Sequence, residues 1–246
     1  MKRFILLILV AGMSMLRASA DESLMHRYEL EVGAFDRLTL YDNASVVYRS
    51  VPDSTGFIAY EGVEDFADAF IFENSDGNLK IQVSTEDVGK PGLPVIRVYS
   101  DFLTSVENSS DSIVRIEAST PVPKFSAKLI GNGTILANGI NASDVRATIV
   151  TGNGTISLDG ITRKAQLKMI GTGIIQADRL KADDVRCSVV GNGQIGCWAI
   201  EKLDVRGLGS SKIYYKGKPS IKKVGGGKIF PLDSGDLDEN REEAAD

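Results

Sequence analysis

From Phe125 onward the chain repeats one phrase at a period near 20 residues, and no other feature of the sequence limits its fold as tightly. GNGTI begins at Gly131 and again at Gly152, GTGII at Gly171 and GNGQI at Gly191, with degenerate copies GLGSSKI at Gly207 and GGGKI at Gly225. Set out at that period, Phe125, Val145, Ala165 and Val185 form one apolar column. Ala127, Ala147, Leu167 and Cys187 form a second, and Leu129, Ile149, Met169 and Val189 a third. Between them run polar columns, Ser126, Arg146, Gln166, Arg186 and Lys128, Thr148, Lys168, Ser188. Alternation of period 2 marks a half-buried strand, and its return at a fixed interval marks a solenoid. In the second copy GNG and the apolar Ile161 arrive one residue late, and the register is recovered by Ala165. An uncorrected slip would turn every inward side chain outward.

A leucine-rich repeat needs L-x-x-L-x-L, which is absent, and a helical repeat is opposed by two glycines in every unit. The pattern predicts an all-β chain, a single-stranded right-handed parallel β-helix. Glycine is 25 of 246 residues, against a usual share of about 7%. The pairs Gly131/Gly133, Gly152/Gly154, Gly171/Gly173 and Gly191/Gly193 are expected at corners, where positive φ or the coil above leaves no room for a Cβ. Gly217, outside that register, should tolerate a side chain better than Gly193. Four units place an apolar residue five positions after the isoleucine: Ile140, Ile161, Leu180 and Ile200. Ile113, Ile135, Ile156, Ile175, Ile195, Ile213 and Ile229 count about seven coils, a stack of roughly 30–35 Å.

Four segments are expected: a signal peptide at 1–20, an N-terminal β-rich cap with early coils at 21–119, the GxG β-helix at 120–233, and an acidic disordered tail at 234–246. The first has a basic start at Lys2-Arg3, an apolar stretch too short to span a bilayer, and the cleavage site Ala18-Ser19-Ala20. It predicts an extracytoplasmic protein with no membrane span once cleaved. In the second, strands are expected at Phe35–Tyr41, Val46–Ser50, Phe57–Tyr60, Phe70–Glu73, Leu79–Ser84 and Val95–Tyr99, with a hairpin turn at Ser75-Asp76-Gly77-Asn78. This section should continue into the stack and cap its end. His26, the one histidine, reads as a loose terminal residue.

The net charge is −5. Cleavage removes three basic residues, leaving −8, and the tail accounts for −5 of that, so the body Asp21–Asp233 carries −3. That balance predicts no footprint for nucleic acid or an anionic membrane. The one histidine and two cysteines exclude a Cys/His zinc cage and most histidine-based catalysis, and no cofactor is expected. The glycine phrases complete neither a P-loop nor a dinucleotide fingerprint.

Two constellations remain. Asp184, Arg186 and Asp204 fall on the outer face, where carboxylates beside an arginine could hydrolyse or eliminate a polysaccharide. Their columns alternate with Lys164 and Gln166, so that like charges do not stack, and a solvated surface explains that fully. Cys187 and Cys197 flank the Gly191–Gly193 corner on inward positions, so either a disulfide across the corner or two buried thiols would satisfy the pattern.

The opening Phe35-Asp36-Arg37-Leu38-Thr39-Leu40, the middle DGNLKIQV, the tandem G-x-G-x-I coils and the ending YYKGKPSIKKVGGGKI from Tyr214 occur in that order. Together they resemble the bacterial head GIN domain family of auto-transporter adhesins over about Phe35 to Phe230. The chain departs in using GNG and GTG where the family commonly has serine-glycine pairs. The resemblance implies a parallel β-helix in or outside the cell envelope, with no catalytic residues to carry over. The expected function is an exported, non-catalytic binding module, with an envelope glycan or protein as partner and self-association left open. The alternative is a carbohydrate-active enzyme on the same scaffold.

Overall fold

A computed structural model of the protein describes residues 25–232; the segments expected to be a signal peptide (1–20) and an acidic disordered tail (234–246) lie outside the described residues. Seventeen strands join in one continuous sheet, coiled into a right-handed parallel β-solenoid. Strands β10 (Val122–Ile130), β11 (Thr134–Thr151), β12 (Thr155–Gly171), β13 (Ile174–Gly191) and β14 (Gln194–Leu208) pair in parallel. Each long strand bends midway and so serves two faces. Its first residues build one face, where Ile135, Ile156, Ile175 and Ile195 stack. Its later residues build the other, where Ala127, Ala147, Leu167 and Cys187 stack. All eight side chains are buried, as the columns require. The interior is thus a pile of aliphatic ladders, each strand burying its apolar alternates against the coils above and below.

Several local expectations are corrected. Gly160, not Ile161, lies over Ile140, so the late register is recovered at the midway bend, and Ile161 is 54% exposed. Ile113 faces solvent while Val114 takes the inward place under Ile135. Ile200 also faces out and Ala199 fills the core. After β13 the period contracts: Val185 pairs with Leu203 and Cys187 with Val205, a shift of two from the 20-residue columns. The contraction occurs at the bend, where Ala177 pairs with Cys197 but the next paired residue, Lys181, already meets Trp198. The stack ends with β15 (Lys212–Lys216), β16 (Ser220–Gly225) and β17 (Lys228–Pro231).

The front section holds β1 (His26–Glu31), β2 (Arg37–Leu40), β3 (Val46–Ser50), β4 (Phe57–Gly62), β5 (Phe70–Ser75), β6 (Asn78–Val83), β7 (Ile96–Ser100), β8 (Ser105–Asn108) and β9 (Ile113–Ala118). Its coils do not stack in chain order. β2 lies between β6 and β8, and β3 between β7 and β9, so the first coil of the sequence is the second of the stack. The chain leaves β3, builds the terminal coil β6–β7, and then crosses back over the first coil to β8. Asp36 anchors that return by accepting hydrogen bonds from the Thr104 N–H at 2.7 Å and the Thr104 hydroxyl.

Antiparallel strands close this end. β5 folds onto β6 through the hairpin, where Asp76 (φ 52) and Gly77 (φ 74) supply the paired positive φ angles of a type I′ turn. β4 covers β7, and β1 covers β4. His26 is therefore a strand residue, paired with Gly62, and Tyr28 stacks on Tyr60 at 5.0 Å between centroids. No helix among the described residues is long and apolar enough to cross a membrane.

Candidate binding face

The face formed by β6, β2, β8, β10, β11, β12, β13, β14 and β16 runs the length of the stack, about 38 Å at the usual strand spacing. Because the pleat alternates, its outward side chains fall into straight columns. One reads Asn78, Arg37, Ser105, Ser126, Arg146, Gln166, Arg186, Asp204, Lys222. Its neighbour reads Lys80, Thr39, Glu107, Lys128, Thr148, Lys168, Ser188, Arg206, Val224. Eight of these residues are basic and two, Glu107 and Asp204, are acidic. A third column alternates strictly in its charged stretch: Lys124, Asp144, Lys164, Asp184, Lys202. A chain of net −5 thus presents a positive face, which the whole-body balance concealed. Along one margin, Ile170, Val190 and Leu208 form an exposed aliphatic row.

The predicted constellation is rearranged here. The two-residue contraction puts Asp204 beside Arg186 (3.7 Å) and Lys202 beside Asp184 (3.8 Å), so each carboxylate is neutralised by a base on the adjacent strand. Asp184 and Asp204 share no column and face no cleft. The two described clefts, each about 210 Å³, lie at the other end, near Tyr41 and Asp111 and near Phe35 and Phe102. Among the described residues no cluster of three His, Cys, Asp or Glu side chains converges on a point.

The corner glycines divide the two expected roles, positive φ and close approach, between the first and second member of each pair. Gly131 (φ 112), Gly152 (φ 92), Gly171 (φ 124) and Gly191 (φ 125), the first of each pair, hold positive φ. Gly133, Gly154, Gly173 and Gly193, the second, do not; they are glycine because the preceding coil leaves no room for a Cβ. An ideal Cβ on Gly133 would fall 2.6 Å from the Ser112 carbonyl oxygen, and one on Gly154 2.6 Å from the Gly133 oxygen. At Gly193 it would fall 1.9 Å from Met169 Sδ and 2.7 Å from the Gly173 carbonyl oxygen. Gly133 also sits between coils of unlike sequence, where Ser110 and Ser112 stand in for the glycine corner of the later repeats. Gly217 departs from expectation, since it holds φ 98 and its Cβ would lie 2.0 Å from the Ala199 oxygen. The middle corner residues link coils. Asn132 Oδ1 accepts the Asn153 N–H at 3.1 Å, and Asn192 Oδ1 accepts the Ser210 N–H at 3.2 Å. Cys187 and Cys197 are buried, free thiols side by side. Their mutual hydrogen bond, and then burial, raise the Cys187 thiol well above its ordinary range.

Sequence columns at a strict period identify Arg146, Lys168 and Arg186 as outward residues. They do not join them to Arg37 and Lys80, which enter the face only through the reordered front coils. The signal that could have found them is the phrase DGNLKIQV, which alternates like the repeat strands.

A family model described as "Putative auto-transporter adhesin, head GIN domain" matches residues 34–219. Among curated proteins none matches the chain. A crystal structure of a "putative adhesin" from Bacteroides fragilis is similar at TM-score 0.77 and 22% identity, covering 86% of this chain and 98% of that one. A "putative lipid binding protein" from Parabacteroides distasonis is similar at TM-score 0.68 and 22% identity, covering 85% and 97%. A "putative adhesin" from Parabacteroides merdae is similar at TM-score 0.63 and 16% identity, covering 85% and 96%. At such identities these likenesses establish the shared solenoid.

Proposed function

The chain belongs to the head GIN domain family, and from that premise we propose that it is an exported, non-catalytic binding module whose nine-strand face holds an extended anionic partner, an acidic glycan of the cell envelope. The observation behind this reading is the pair of adjacent columns with eight basic side chains against two acidic ones. A repeating polyanion can meet a charge on nearly every strand of such a ladder, and many weak contacts then add along its length. The signal-like start at 1–20 and the adhesin description of the family support an extracytoplasmic site. Binding is tested by calorimetry with polygalacturonate, using neutral dextran as control. The expected result is salt-sensitive binding to the first only, weakened about tenfold or more by Lys168→Glu with Arg186→Glu. Equal binding of both polymers, or an unchanged affinity in the variant, refutes the reading. Anionic vesicles belong in the same panel, because one structural relative is described as lipid binding and an aliphatic row borders the basic columns. Preference for vesicles over the glycan would replace the proposed partner. Polysaccharide turnover abolished by Asp184→Asn would favour the enzyme instead.

A further inference from the structure

Charge is sorted along the solenoid as well as across it. Residues 25–119 hold 17 acidic and 7 basic residues, a net of −10, and residues 120–232 hold 7 acidic and 17 basic, a net of +10. Residues 25–232 are therefore neutral as a whole and form a dipole along the stack. The extremes lie at the two ends. From Ser50 to Leu79 there are seven acidic residues and no basic one; from Val205 to Leu232 there are seven basic residues and no acidic one. The first run belongs to β4, β5 and the helical turn Glu64–Phe66, which close the front. The second runs from the end of β14 through β15, β16 and β17 at the back. All seven acidic side chains are exposed, and so are six of the seven basic ones. Among the described residues only Glu73 of the first run and Lys216 of the second have an oppositely charged partner, Lys80 at 3.2 Å and Asp178 at 3.6 Å.

We propose that the two ends bind each other between copies, the acidic front of one molecule seated on the basic back of the next. Contact brings the two runs within the screening length of about 8–10 Å, while each end stays roughly a solenoid length, about 38 Å, from its like. Front against front, or back against back, would oppose seven like charges to seven. Backbone and apolar groups support the same contact. β1 and β5 at the front, like β16 and β17 at the back, pair on one side only among the described residues, so both ends present strand edges. Aliphatic side chains stand among the charges, Ile71 at the front (50% exposed) and Ile221 and Val224 at the back (42% and 56%). The contact uses a different patch on each partner, so it does not close on itself, and copies add in an open chain. Because charge complementarity carries it, salt loosens it.

Sedimentation of the full-length protein, with no glycan present, tests this. In roughly 0.02 M salt the average mass should climb with protein concentration beyond two copies, and in roughly 0.5 M salt the association constant should fall at least about tenfold. Glu64→Lys with Asp65→Lys and Asp68→Lys leaves four acidic and three basic residues in the front run, and this variant should be monomeric. Lys218→Glu with Lys223→Glu and Lys228→Glu leaves four basic and three acidic residues in the back run, and it too should be monomeric. An equimolar mixture of the two variants should form pairs and stop there, because one intact basic end then meets one intact acidic end. Pairing in the mixture also shows that both variants are folded. A parent that stays monomeric in low salt overturns the proposal, and so does a parent whose mass stops at two copies, since that pair has closed on itself. Association that survives in either variant alone, or a mixture that does not pair, overturns it as well.

Discussion

Gly193→Ala should be among the most damaging single-methyl additions in the protein. The new Cβ would stand 1.9 Å from Met169 Sδ and 2.7 Å from the Gly173 oxygen. Met169 is fully buried, so its sulfur can retreat only by displacing other core side chains, at a cost of about 1–3 kcal/mol for overpacking. The carbonyl cannot retreat without stretching the Gln194 N–H bond to Gly173, 3.1 Å in the parent, which adds about 1 kcal/mol. The expected loss is about 2–4 kcal/mol, or a fall in Tm of roughly 5–15 °C for a domain of this size. Gly139→Ala is the control. Gly139 also lies in the solenoid and holds positive φ, 68°, but no atom lies within 4 Å of its Cβ, so only the backbone conformation opposes the change, at about 1 kcal/mol. Urea unfolding of both variants measures the difference. A cycle with Met169→Ala should show coupling of about 0.5–3 kcal/mol, because removing the sulfur relieves part of the clash. Equal losses for the two glycines, or no coupling to Met169, would refute the close-approach account of the second corner glycine.

Gly217→Ala should cost about as much as Gly193→Ala, measured in the same unfolding series, since its Cβ meets the Ala199 oxygen at 2.0 Å. Cys187 and Cys197 should resist iodoacetamide in native protein and react on unfolding, because both are buried and the Cys187 thiol is held in its protonated form; rapid native labelling would mean the inward columns are misassigned. Stability should fall between about pH 10 and pH 12. Burial pushes Tyr60 from 10.0 up to about 12, so the unfolded state ionises first and gains proton-release free energy the folded state lacks; melting across that window would show it. Asp204→Asn should shift Tm by no more than about 2–4 °C, because its pair with Arg186 is exposed and worth at most about 1 kcal/mol.

The columns from Phe125 to Val189 were legible because parity and period reinforce one another over four coils. The contraction after β13 was not. A shift of two residues preserves inward and outward parity, so Leu203 and Val205 satisfy the pattern as well as Val205 and Gly207 would have. Asp204 consequently aligned with Asp184 on paper and lies beside Arg186 in the fold. The glycine pairs were legible as corners, but their division of labour was not. A positive φ at Gly152 and a close approach at Gly154 leave the same letter in the sequence. The order of the front coils was hidden for a related reason. Leu38 and Leu40 offer the same aliphatic alternation as Leu79 and Ile81, and nothing in that alternation says which coil lies next to β8. His26 was misjudged because a short polar strand acquires its structure from its partner, here β4, rather than from its own residues. The positive face was concealed by counting charge over a chain when the pleat sorts it by side.

The crossing of the front coils makes the two ends mechanically unequal. Under tension from the C-terminus, β17 and β16, each held by one ladder among the described residues, can unzip strand by strand, so low forces should release one coil at a time. Tension from the N-terminus reaches β2 and β3 after β1, and both are clamped between strands supplied by later sequence, β6 with β8 and β7 with β9. Extracting them requires two ladders to shear together. A tether fixed at the front would hold its grip while the far end let out length, which is the behaviour of a rope hitched at one end.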